Sequence, residues 1–248
     1  MSSANHVSLS LATVLERSLN STAHNIANMS TSGFKASRPL LDSLTLPTDS
    51  SLGSSISFVQ DKGNYLDLTQ GAMVKTDSPF DVALSGPDWF AYQAPDGTEA
   101  FGRDGRLVIS SEGELTTTTG AAILDADGRA ITLPPDIGAT FTIARDGTIT
   151  DTDGGVLGQI GTFAIETPNA LSAIGGGLYI LPPGAGGRPE RSDASAVVQG
   201  FVEQSNVQST LEVTRMMDIQ RAYERAVRVL EETDQLTQTA IQRISRSV

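Results

Sequence analysis

The spacing of hydrophobic positions changes twice along the chain. Val7, Leu11, Leu15, Leu19, Ala23 and Ile26 recur three or four residues apart, which places them on one stripe of an α-helix. The stripe stops at "STSGFK", where Gly33 suits a left-handed C-terminal position and Phe34 the apolar contact after it. From Leu40 to Lys75 the pattern weakens. "LPTDSSLGSS" predicts a loop, and "SISFVQDKGNYLDL" predicts one or two short extended pieces. Strand-type runs then take over: "FDVALSG", "WFAYQA", "RLVIS", "ELTTTT", "TFTIA" and "YIL". Between them recur Asp96-Gly97, Asp104-Gly105, Glu112-Gly113, Asp127-Gly128, Asp146-Gly147 and Asp153-Gly154, dipeptides that supply the positive φ of tight hairpins. Helical spacing returns at Met216, Ile219, Tyr223, Ala226, Leu230, Thr233, Thr237, Ala240 and Ile244, with no Gly or Pro after residue 200.

The predicted fold is mixed: terminal α-helices forming a coiled-coil-like pair, plus a central antiparallel all-β domain. Four segments follow: an N-terminal assembly helix over 1–36, a connecting segment over 37–76, the β domain over 77–200, and a C-terminal assembly helix over 201–248. A helix from Leu211 to Ile244 would run roughly 50 Å. A compact body of residues 77–200 would be on the order of 35 Å across. The helix would overshoot that body, so the two apolar stripes are expected to cover each other in part and neighbouring molecules with the remainder. Asn20, Asn25 and Asn28 weaken the first helix. They would either face water or hydrogen-bond across a close helix contact.

Charge separates the middle from the ends. Of the net −12, residues 76–200 hold 17 acids against six bases, an acidic body ill suited to nucleic acid. No apolar run is long enough to span a membrane, and the N-terminus lacks the layout of a cleaved signal peptide. With no cysteine, thiol catalysis and Cys-based metal sites are excluded. His6 and His24 stand far apart without partners at ligand spacing. "LDADGRA" and "DTDGGVLG" lack the further ligands of a calcium loop, and "IGGGLYILPPGAGG" lacks a phosphate-binding fingerprint. Trp89, Phe90 and Tyr92 could form a carbohydrate platform but fit a core strand better. Neither catalytic residue, cofactor nor metal is expected. A secreted glycan-binding protein or hydrolase, and a membrane-surface protein, are the alternatives from other classes.

Through Asn25, Ile26, Ala27, Asn28, Thr31, Gly33, Phe34 and Lys35, "HNIANMSTSGFKASRP" is similar to the N-terminal signature of the flagellar rod and hook family. The C-terminal segment is similar through Ser205, Asn206, Val207, Arg221, Ala222 and Tyr223, and residues 71–115 are similar to the family's first β hairpins. The resemblance implies a structural subunit of the basal-body rod, proximal rather than distal. Its terminal helices would pack into an axial tube that transmits torque. It implies partners among other rod proteins and copies of the same chain. It also implies export through the flagellar type III apparatus to a periplasmic rod, with no nucleic acid and no membrane insertion. The expected assembly interface is Leu11, Leu15, Leu19, Asn25, Ile26, Asn28, Gly33 and Phe34 with Met216, Ile219, Tyr223, Ala226, Leu230 and Ile244.

Overall fold

The computed structural model describes residues 2–47, 55–134, 137–138, 140–185, 187 and 189–246. The chain divides into two units. The first comprises Met1–Ala27, Ser37–Tyr65 and Gln208–Val248; the second comprises Asn28–Ala36 and Leu66–Val207.

The first unit holds helix α1 (Ser2–Ala27), strands β1 (Ser37–Pro47) and β2 (Ser55–Leu66), and helix α2 (Ser209–Arg246). The two helices lie in contact, and β1 and β2 pair as a two-stranded sheet. The 11 and 12 residues of these strands replace the short pieces expected here; most of the predicted loop between them lies outside the described residues. At about 1.5 Å per residue, the 38 residues of α2 extend for roughly 57 Å. On α2 the anticipated seam is the sheltered side: Met216, Ile219, Tyr223, Leu230 and Thr233 are half-buried and Ala226 is buried. The side chains of Thr237, Ala240 and Ile244 lie outside those described.

On α1 the structure corrects the expectation. The most sheltered line is Ala12, Val14, Ser18, Ser21, Thr22 and Asn25, about one residue around the helix from the leucine stripe. Leu11 and Ala23 are exposed, and Leu15, Leu19 and Ile26 only half-buried. Small residues let a neighbouring backbone come close. Ser21 Oγ and Asn25 Nδ2 both donate to the Ser37 carbonyl at the start of β1, at 3.0 and 2.9 Å.

The second unit is built on a nine-stranded sheet. At its centre Trp89–Gln93 pairs antiparallel with Glu99–Gly102, Ala91 opposite Phe101. Side chains of a strand alternate between faces, and here both faces are covered. Phe90 and Tyr92 join a core with Val82, Leu84, Leu115, Ile123 and Ile149, while Trp89 and Ala91 join another with Phe101, Phe163 and Tyr179. This explains the unbroken apolar run "WFAYQ". A three-stranded sheet of Phe141–Ile143, Thr148–Asp151 and Val156–Gln159 adds Phe141, Ile143 and Ile149 to the first core. Gly97, Gly113, Gly128, Gly147 and Gly154 have φ from +79° to +85°, as hairpin chemistry requires. Gly105 is different. It is needed for space, because a Cβ there would lie 1.7 Å from the Val82 carbonyl oxygen.

Candidate assembly interface

The free chain leaves much of its helical apolar surface uncovered. On α1, Leu9 and Leu11 are 56% and 37% exposed; on α2, Leu211, Met217, Val229 and Leu236 are 59%, 45%, 47% and 66% exposed. Leu15 of α1 lines an open groove with Leu211, Ile219 and Ala222 of α2. Both helices are amphipathic, yet each turns only part of its apolar face toward the other.

Several residues expected at an intermolecular surface are instead consumed inside the chain. Asn25, 1% exposed, accepts from Ser37 N–H at 2.9 Å and donates to Ser37 C=O at 2.9 Å and to Glu212 Oε2 at 3.5 Å. Beside it Glu212 of α2 is fully buried. Its carboxylate takes Arg38 of β1 at 2.6 Å and Arg215 at 3.1 Å. Asn20 faces water. Asn28 is half-buried and accepts from Thr31 Oγ1 at 3.2 Å. The three asparagines thus split among three environments.

Gly33 and Phe34 are likewise interior, within the second unit. The helix ends at Ala27, and Gly33, six residues on, is left-handed at φ +67°. A Cβ on Gly33 would sit 2.2 Å from the Arg103 carbonyl carbon. Phe34 packs with Ala36 and Val207 in a small separate core.

Lys35 points into a buried charge cluster that sequence reasoning missed. Its Nζ donates to Glu203 Oε1 at 2.7 Å and to the Thr69 carbonyl at 2.8 Å. Glu203 Oε2 accepts from Arg103 Nη1 at 3.1 Å, and Arg103 Nη2 donates to Gly86 C=O at 2.7 Å. The Arg103 guanidinium also lies 5.5 Å from the Trp89 ring centroid, within cation–π range. Arg103 Nε is buried without a hydrogen-bond partner. Burial lowers the Lys35 pKa and the Glu203 carboxylate opposes that shift. The Tyr179 hydroxyl bridges the backbone of Lys35, accepting from its N–H and donating to its C=O, both at 3.2 Å; burial pushes its own pKa up to about 12. Nearby Asn206 accepts from Ala36 N–H at 2.8 Å and donates to Asp67 C=O at 2.7 Å. The Lys after Gly-Phe near one chain end and the Glu shortly before Ser-Asn-Val near the other were the only sequence traces of this joint.

Among the described residues nothing in the geometry suggests chemistry. Trp89, Phe90 and Tyr92 are core residues at 3%, 0% and 0% exposure, which removes the carbohydrate platform. "LDADGRA" and "DTDGGVLG" are hairpin turns in which Asp125 and Asp151 cap their own backbones. Among the described residues no His, Asp and Glu side chains group as a metal site. His24 is exposed on α1, and the side chain of His6 lies outside those described. No described helix is long and apolar enough to cross a membrane.

Comparison with known proteins decides what such a molecule is. Residues 198–243 match the family described as flagellar basal body rod FlgEFG protein C-terminal, and residues 83–151 match the flagellar hook protein FlgE/F/G D1 domain. The flagellar basal-body rod protein FlgF of Caulobacter vibrioides is 36% identical over 99% of both chains. The chain belongs to the flagellar basal-body rod family. Its FlgF relative from Mesorhizobium japonicum is 34% identical over 95% of both chains. The rod protein FlgG of Buchnera aphidicola subsp. Schizaphis graminum is 32% identical over 89% of this chain and 91% of its own. This FlgF-like rod subunit is therefore structural and not an enzyme. Of the residues that carry the resemblance, Thr31–Lys35 and Ser205–Val207 lie around Lys35, Glu203 and Asn206, whereas Asn25–Ala27 and Arg221–Tyr223 lie on α1 and α2.

Proposed function

We propose that this rod subunit occupies the proximal rod. It joins copies of itself and other rod proteins through apolar strips on α1 and α2, and leaves the cytoplasm through the flagellar type III apparatus. In place, the helices belong to the periplasmic axial tube that transmits torque. The observation that carries this reading is the uncovered apolar surface of the helices, with Leu211 and Leu236 more than half exposed. A water-soluble monomer gains nothing from such strips, and neighbours of matching geometry would cover them. Leu11, Leu15, Leu19, Ile26, Met216, Ile219, Tyr223 and Leu230 are incompletely covered within the chain, and they supply the flank of that interface.

The test is a substitution that spares the monomer. Met217→Asp alters a residue 45% exposed in the free chain, so its folding stability should stay within about 0.5 kcal/mol of the parent. Incorporation into basal bodies and swimming should both be lost. Normal rods containing Met217→Asp subunits would refute the interface. A distal position is the second reading, supported by the similarity to FlgG. Complementation separates the two, because the gene should restore motility to a strain lacking the proximal subunit and not to one lacking the distal subunit.

A further inference from the structure

We infer that the joint around Glu203 is a latch that closes last, after the sheet of the second unit has formed. Three segments make it: residues 33–36, 67–75 and 201–207. They meet through Gly33 N–H to Glu203 C=O at 2.8 Å, Gly71 N–H to Glu203 Oε1 at 3.0 Å, and Gln204 N–H to Ala72 C=O at 2.9 Å. Their regular structure is the short pairing of Met73–Lys75 with Phe201–Glu203. Their buried apolar side chains are Val202 and the small cluster of Phe34, Ala36 and Val207, which is distinct from the two cores of the sheet. Polar ties therefore hold the latch, and a region with few buried apolar contacts opens more easily than its surroundings.

Glu203 controls closure. Lys35 and Arg103 are 1% and 3% exposed, and this single carboxylate, itself 1% exposed, is the ion-pair partner of both. Until it arrives, burying the two cations is opposed by the loss of their hydration. Glu203 stands 168 residues from Lys35 and 100 from Arg103, whereas the sheet begins from local hairpins such as Trp89–Gln93 with Glu99–Gly102. Contacts of long sequence separation form late because loop closure must precede them. The latch also ties the chain just after α1 to the chain just before α2. The two ends thus stay unjoined until nearly the whole protein has emerged from wherever it is being made or passed.

Hydrogen exchange on the full chain tests this. Under native conditions the amides of Gly33, Gly71, Gln204 and Asn206 should exchange at least about tenfold faster than those of Leu124 and Gly161 in the sheet, through openings of low denaturant dependence. In pulse-labelled refolding they should gain protection after Leu124 and Gly161. Glu203→Gln keeps the shape and removes the charge; it should speed the latch amides by a further factor of about ten and leave the sheet amides unchanged. One common rate and denaturant dependence for both sets, simultaneous protection on refolding, or equal acceleration of both in Glu203→Gln would overturn the latch. If Glu203→Gln does not fold, the two measurements on the parent chain decide alone.

Discussion

Asn20 and Asn25 are identical in type and five positions apart on one helix, yet the structure gives them opposite consequences. Asn25→Ala strands the N–H of Ser37 and leaves its C=O with Ser21 Oγ alone, and an unsatisfied buried group costs about 1–3 kcal/mol. Asn20→Ala changes an exposed residue and improves helix propensity, so its effect should lie within about 0.5 kcal/mol. Urea melts of the two variants side by side would show one shifted midpoint and one unshifted. Gly33→Ala should be worse than its one added methyl suggests. The new Cβ would collide with backbone at Arg103, and φ is +67°. A loss of more than about 1 kcal/mol is expected in the same melt, against a gain at a glycine with room and ordinary φ.

Among elements, the hairpins have an acid sensitivity that follows from their turns. The Thr98 N–H donated to Asp96 and the Thr148 N–H donated to Asp146 hold those carboxyls below the usual carboxylate range. A group with a depressed folded pKa stabilises above its unfolded pKa and loses that contribution as pH falls through the folded value. The melting temperature of the chain should therefore drop as pH falls below about 4. The drop should be smaller in the Asp96→Asn, Asp146→Asn double variant. Burial raises the Asp104 pKa and works in the opposite sense, so an unchanged pH profile in the variant would assign the acid response elsewhere. The helices show the other limit. Their amphipathic period was visible in the sequence, while the exact line of contact on α1 was not. Leucine spacing marks the greasiest side of a helix, but Ser18, Ser21 and Asn25 are small or can bond a backbone, and so permit the closest approach.

At the scale of the molecule the division into units does not follow the chain. Residues 28–36 belong with the β unit although they directly continue α1. Removing residues 1–27 should leave the melting of the β unit unchanged while preventing assembly. Removing 1–36 also takes Lys35 away from Glu203. Breaking a buried pair costs about 3–5 kcal/mol, and at about 2–4 °C per kcal/mol the β unit of the shorter chain should melt markedly lower. Calorimetry of the two truncations compares them directly; equal melting temperatures would show that the Lys35 pair does not stabilise this unit.

What the sequence determined by itself was whatever depends on local repetition. Period 3.6 at both ends marked the helices, period 2 and Asp-Gly turns marked the sheet, and two short signatures marked the family. These properties are written within a few residues of one another, so no knowledge of the fold is needed to see them. Tertiary structure alone decided which polar residues meet. It set Lys35 and Arg103 on Glu203, Arg38 on Glu212, and Asn206 across the backbone of residues 36 and 67. Such pairings join positions as far as 174 residues apart. Their energy arises only when burial removes water from both partners, a condition that no stretch of sequence carries on its own.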